Sequence, residues 1–108
     1  MYFRVLAAVG GTWKLFGHYD GPSKTRFGSD HAPIGELCAT SSWDAGDYII
    51  DTYRVTSNHG SLPTGPYQLW VGFFTGSNPN FRNMPVSSAP PGWADAQQRV
   101  RIATLPLR

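Results

Sequence analysis

Two histidines and a carboxylate raise the first question of chemistry in this chain. His18 and Asp20 are two residues apart in the alternating stretch Lys14-Leu15-Phe16-Gly17-His18-Tyr19-Asp20, so on a strand both project from one face. If the next segment folds back antiparallel, either Asp30 or His31 joins them. It cannot be both, because neighbours on a strand point to opposite sides. His18, Asp20 and His31 together would offer two imidazoles and a carboxylate, a donor set suited to zinc. The spacing lacks a compact ligand motif, and the favoured reading is a polar network that satisfies backbone groups at a turn.

A second acidic set, Asp44, Asp47 and Asp51, surrounds Trp43 and Gly46. Oxygen ligands of this kind hold calcium in many modules, so a structural calcium is one reading. The spacing matches no calcium loop, and Asp44 is more simply a turn residue before Ala45-Gly46. Asp51 is expected to pair across strands with an arginine such as Arg54 or Arg4. Arg99 and Arg101 share a strand face, which reads first as solvated and second as a small anion-attracting patch. His59, in Asn-His-Gly, reads as solvated. Cys38 excludes an internal disulfide and, between Leu37 and Ala39, reads as a small buried apolar residue.

Four Trp and five Tyr invite a carbohydrate reading, since flat exposed rings stack on sugars. Trp13, Trp43 and Trp70 are expected in the core, where a small domain needs large residues. Trp93, in Pro-Gly-Trp-Ala, is the best candidate for an exposed ligand-binding ring, followed by Phe81 and Tyr53.

Catalysis has little support. There is no nucleophile elbow, phosphate loop or dinucleotide fingerprint, and nothing sets paired carboxylates across a cleft. A chain of 108 residues also promises little room for a pocket of several hundred cubic ångströms. The expectation is therefore a protein that is not an enzyme. Nine Lys and Arg against seven Asp and Glu leave a formal +2, too little to imply a nucleic-acid partner. No apolar run approaches the roughly 20 residues of a membrane-spanning helix.

The elements that must position these residues are strands. An aromatic content of 14% with charge at 15% argues against disorder, and a single Glu with two Lys leaves few helix formers. Period-two alternation predicts strands over 2–9, 12–20, 25–31, 47–56, 67–74, 81–86 and 99–107. Turns are expected at Asp20-Gly21-Pro22-Ser23, at 58–65 and 75–80, and at Pro90-Pro91-Gly92. A short helix over 94–98 is one option. Gly72, between Val71 and Phe73, marks a close approach of another group to the backbone. Pro106 places the last strand at an edge or ends it there. The expected architecture is all-β, an antiparallel β-sandwich of about seven to eight strands in one domain over 1–108, with an open barrel as the alternative.

The order of several short motifs carries a resemblance. Phe16-Gly17-His18-Tyr19-Asp20, then Asp30-His31-Ala32-Pro33, Trp43-Asp44-Ala45-Gly46-Asp47 and Gly65-Pro66-Tyr67 leading to Gly72-Phe73-Phe74 follow one another. This order resembles β-sandwich accessory domains of bacterial cell-envelope proteins, including those appended to membrane glycosyltransferases. The resemblance spans about Thr12 to Leu107 and departs after Phe74, where such domains place a Gly-x-Arg-Leu turn. It implies a non-catalytic Ig-like or jelly-roll module in the cell envelope, outside the cytoplasm. The segment after Met1 is too short and poorly charged for a signal peptide, so the chain reads as cytosolic or as a domain cut from a larger protein. The leading expectation is an interaction module that docks a protein or neighbouring domain through a sheet face or edge strand. A glycan-binding module using exposed aromatics comes second. A small metal-binding domain comes third.

Overall fold

A computed structural model describes residues 1–55 and 61–107. His59 lies outside the described residues. Seven strands occur there: β1 (Tyr2–Arg4), β2 (Lys14–Asp20), β3 (Arg26–His31), β4 (Tyr48–Ile50), β5 (Gly65–Thr75), β6 (Arg82–Asn83) and β7 (Val100–Leu107). Three single turns of 3-10 helix, at Pro22–Lys24, Pro33–Glu36 and Thr40–Ser42, bridge them, and the described residues contain no α-helix. The protein is all-β, as its alternation predicts.

The strands form two antiparallel sheets. β1 and β4 make a two-stranded ribbon, and β3, β2 and β5 lie side by side in a five-stranded sheet that β6 and β7 complete along the far edge of β5. The 25–31 return onto β2 pairs Leu15 with His31 and Asp20 with Arg26, so that hairpin forms as expected. β7 is an edge strand, and it continues through Pro106, which stands opposite Pro66. One residue, Ile102, is extra where Leu69 pairs with Ala103 but Trp70 pairs with Arg101, a bulge in the ladder.

Three strands are shorter than alternation predicts. β1 stops at Arg4, although Val5 still exchanges backbone bonds with Asp47 and Gly46. Of the 47–56 stretch, the described residues yield only Tyr48–Ile50, although the Asp51 N–H still donates to the Met1 carbonyl. The 81–86 stretch yields only Arg82–Asn83, where side chains of this stretch and of 97–98 bind each other's backbone. The Asn83 amide donates to the Gln97 carbonyl, and the Gln98 side chain accepts from the Val86 N–H. The segment 94–98, where a short helix is one option, forms a turn. Its Asp95 carboxylate accepts the N–H groups of Gln97 and Arg99, offering the backbone a partner that competes with a helix.

Both faces of the large sheet are covered. On one, Leu15, Tyr67 and Val71 are buried, and Phe73 joins the cluster of Val5, Trp43 and Ile49 beneath the ribbon. Cys38 packs against that cluster half-buried, with its Sγ 3.3 Å from Ser42 Oγ. On the other face, Phe16 and Phe74 lie under the returning segment that carries Phe81, Gln97 and Arg99.

Two glycines record how tightly side chains crowd the large sheet. Gly72 stands opposite Phe16, and a Cβ there would come 2.4 Å from Phe16 Cζ and 2.9 Å from the Gln98 carbonyl oxygen. This is the close approach that a glycine between bulky strand residues announces. Gly21 sits on the Tyr67 ring, which a Cβ would meet at 2.1 Å. Tyr67 is buried and its hydroxyl donates to the Pro63 carbonyl at 2.8 Å, tying the start of β5 to the chain that enters it.

Candidate functional site

Strand β2 sends alternate residues to two different sites. Its even positions, Phe16, His18 and Asp20, share a face with Trp70, Phe74 and Arg99. Its odd positions, Leu15, Gly17 and Tyr19, face a recess lined also by His31, Asp51 and Tyr53. His18 and Asp20 therefore lie together and His31 lies on the opposite side of the sheet. The trio proposed for zinc does not meet, because His31 pairs with Leu15, an odd position of β2. Asp30 takes the place beside His18. Among the described residues no three His, Cys, Asp or Glu side chains gather around a common point.

The even face is organised by Arg99. Its side chain is buried, against the expectation of a solvated or anion-attracting strand face, because three partners draw it inward. Its Nε donates to Asp95 at 2.8 Å, one Nη donates to Asp20 at 3.1 Å, and its guanidinium carbon lies 4.9 Å from the Trp70 ring centroid. Asp20 is shared, since Arg26 also grips it with a second bond at 3.0 Å. Burial alone would raise the Asp20 pKa, but the hydrogen bonds and charges of Arg26 and Arg99 outweigh it and hold the carboxyl below its usual range. Asp95 behaves alike, with burial opposed and overcome by Arg99.

Arg99 also fixes the protonation of His18. A guanidinium only donates, so at 3.2 Å His18 Nδ1 accepts, and the ring is neutral with its proton on Nε2. Burial first, and then the charges of Arg26 and Arg99, lower the His18 pKa below 6.5, while Asp20 and Asp30 only partly oppose them. The expected consequence is acid sensitivity in two steps. As pH falls below about 6.5 the unfolded chain takes up a proton that folded His18 refuses, so stability declines. A second decline follows below 3.8, where unfolded Asp20 and Asp95 protonate before their folded counterparts. Urea midpoints measured across this range should show both steps, and His18→Gln should remove the first alone.

The opposite face holds a His–Asp pair that spacing alone did not suggest. Asp51 is almost wholly buried and accepts from His31 Nε2 at 2.7 Å and from the Ile34 N–H at 2.9 Å, rather than pairing with Arg4 or Arg54. His31 Nδ1 is buried and has no hydrogen-bond partner among the described residues. Ile34 is held at φ 56°, a conformation a β-branched residue rarely adopts, and its bond to Asp51 helps keep it there. Tyr53 lies flat on the other side of the His31 ring, with 3.8 Å between centroids and 2° between planes.

Tyr53 and Phe81, two of the three aromatics expected at a ligand site, line one groove of about 610 Å³. This open surface groove is of ligand dimensions, although a chain of this length promises little room for one. It opens where β2 begins and β3 and β5 end, and the loops that leave those ends wall it. Trp93 is exposed as expected, but it lines neither this groove nor the recess around His18. Trp13 and Trp43 are buried, and Trp70 is half-buried under Arg99. The acidic set dissolves into two local roles. Asp47 accepts the Asp44 N–H at 2.9 Å to close a turn, and Asp51 serves His31.

One further feature had no counterpart in the sequence reading. The ribbon turns Phe3, Val5 and Ile49 inward, yet its outer positions are also apolar. Tyr2 is 82% exposed, Tyr48 73% and Ile50 60%, with Tyr2 paired to Ile50 and Arg4 to Tyr48. Alternation assigns those positions to strands but does not say which sheet leaves its outer face bare. Set against known proteins, the chain matches no family model, no curated protein and no solved structure.

Proposed function

We propose that this chain is a non-catalytic interaction module that docks a protein partner against the outer face of the β1–β4 ribbon. The carrying observation is the exposure of Tyr2, Tyr48 and Ile50 side by side on that face. An antiparallel sheet with one solvated side normally alternates apolar inward and polar outward. Here both sides are apolar, and contiguous exposed apolar surface on a soluble domain marks an interaction site. Arg4, 5.9 Å from the Tyr48 ring centroid, supplies a charge at the Tyr48 end of the patch for a matching carboxylate. The face is preferred to the edge of β7, where Pro106 cannot donate to an added strand.

The ribbon and the five-stranded sheet are read as the two layers of a small Ig-like sandwich. The bond from Tyr67 to Pro63, four residues upstream, supports this, because a tyrosine tied back in this way recurs at the strand corners of such sandwiches. A setting in a bacterial envelope assembly rests on motif order alone.

The test is a photo-crosslinking amino acid placed at Tyr48 in producing cells, with the same group at exposed Ser23 as control. One discrete adduct is expected from position 48 and none in common with position 23. The partner so identified should bind the purified chain, and Ile50→Lys should weaken that binding about tenfold or more. Absence of an adduct, the same adducts from both positions, or an affinity indifferent to Ile50→Lys would defeat the reading.

A further inference from the structure

We propose that the groove at the end of the five-stranded sheet is a saccharide-binding site, with Tyr53 as its stacking platform. The argument is independent of the docking face, since none of the ribbon's outer side chains lines the groove. At about 610 Å³ it falls within the roughly 300–1,000 Å³ typical of small-ligand sites. Its lining combines aromatic surface from Tyr53, Phe74 and Phe81 with hydrogen-bonding groups from Lys14, Asp30 and Asn78.

Tyr53 is held in place from beneath. Buried Asp51 orients His31, His31 supports one face of the phenol ring, and the residue remains about half exposed. A ring braced in this way loses little conformational freedom when a ligand arrives, which is how rigid sites gain affinity. The bracing uses costly features, an aspartate at 2% exposure, a buried imidazole nitrogen without a partner among the described residues and a strained Ile34. Such features persist where the surroundings enforce them and cluster at ligand sites. Phe81, more than half exposed and edge-on to Phe74 at 5.6 Å, adds a second flat surface to the same groove.

The chemistry of the lining selects among ligands. One lysine offset by one aspartate gives no excess of positive charge, which disfavours phosphate-bearing ligands. The groove lies at strand ends, so it presents no ladder edge to an extended peptide. A purely apolar guest would strand Asp30, Lys14 and Asn78 without partners. A sugar ring has one face of C–H groups to lay on an aromatic ring and hydroxyls around its rim for those polar side chains. The space accommodates a short oligosaccharide.

The test follows amide NMR spectra of the chain during titration with soluble cello-, chito-, malto- and xylo-oligosaccharides. At least one series should give saturable shifts centred on residues 30–35 and 74–81. For that sugar, Tyr53→Ala and Phe81→Ala should each weaken binding about tenfold or more, while Trp93→Ala, outside the groove, leaves it within about twofold. Both truncated rings are exposed, and the wild-type shift map stands whether or not a variant folds. The inference is overturned if no series produces saturable shifts at about 10 mM. It is also overturned if the shifts centre away from the groove, or if folded Tyr53→Ala binds as the unaltered chain does.

Discussion

Tyr67→Ala is expected to cost about 3–5 kcal/mol, the range for removing a fully buried aromatic side chain. The ring is 1% exposed, is tilted against Phe27 at 5.6 Å and fills the space that the missing side chain of Gly21 leaves. Its removal opens a cavity lined by a glycine backbone that cannot grow into it, so little relaxation offsets the loss. For a domain near 100 residues, each kcal/mol moves the melting temperature by about 4–8 °C. The midpoint should therefore drop by more than about 12 °C. Tyr67→Phe separates the ring from its hydroxyl. It keeps the packing but leaves the Pro63 carbonyl without its donor, a loss of about 1 kcal/mol. Equal midpoints for the two variants in a thermal melt followed by circular dichroism would contradict this account.

Arg99→Ala is expected to cost about 2–4 kcal/mol, and the reason is what it leaves behind. Asp20 keeps Arg26, but Asp95 loses the two side-chain bonds that compensate its partial burial, and the Trp70 ring loses the cation above it. Breaking a buried ion pair from one side costs more than replacing both partners by apolar residues. The double variant Arg99→Met with Asp95→Asn removes the charge but keeps an acceptor for the Gln97 and Arg99 N–H groups. It should accordingly recover part of the stability that Arg99→Met loses alone, and a double-mutant cycle by urea denaturation reads this directly. Arg99 also opposes protonation of His18, so its removal should shrink the decline in stability just below pH 6.5. A double variant no more stable than the single one would mean that Arg99 acts through packing rather than through Asp95.

What could be read from residues alone followed from local pattern. Strand alternation placed β2, β3, β5 and β7 because each is long and periodic, and Gly72 announced its crowding because only a missing side chain fits between such neighbours. Strand ends were less legible. Whether 81–86 pairs along its length depends on Asn83 and Gln98 capturing backbone groups from a distant segment, which no window of sequence contains. The site residues divide in the same way. His18 and Asp20 share a face by spacing alone, but their partner Arg99 lies 81 and 79 residues away and arrives only once β7 is aligned on β5. Likewise, His31 and Asp51 meet across 20 residues through a turn whose strained Ile34 is unfavourable by local propensity. The bare outer face of the ribbon was hidden for a further reason, since apolar residues at successive strand positions read equally well as a strand buried on both sides.

The facing prolines at the end of β7 bear on how copies of the chain behave when crowded. A proline is tolerated within a ladder only where its nitrogen points away from the paired strand, so the nitrogen of Pro106 faces the open edge and that of Pro66 the opposite side. The open edge carries Ile102, Leu105 and Leu107, all exposed, and would otherwise be a template for stacking further chains into fibrils. Trp93 and Ala94 already pair with Arg101 and Val100 at the start of that edge, and the missing donor at Pro106 interrupts any register that runs the rest of its length. The greasy margin thus offers a second copy only a short run of donors and acceptors to pair with.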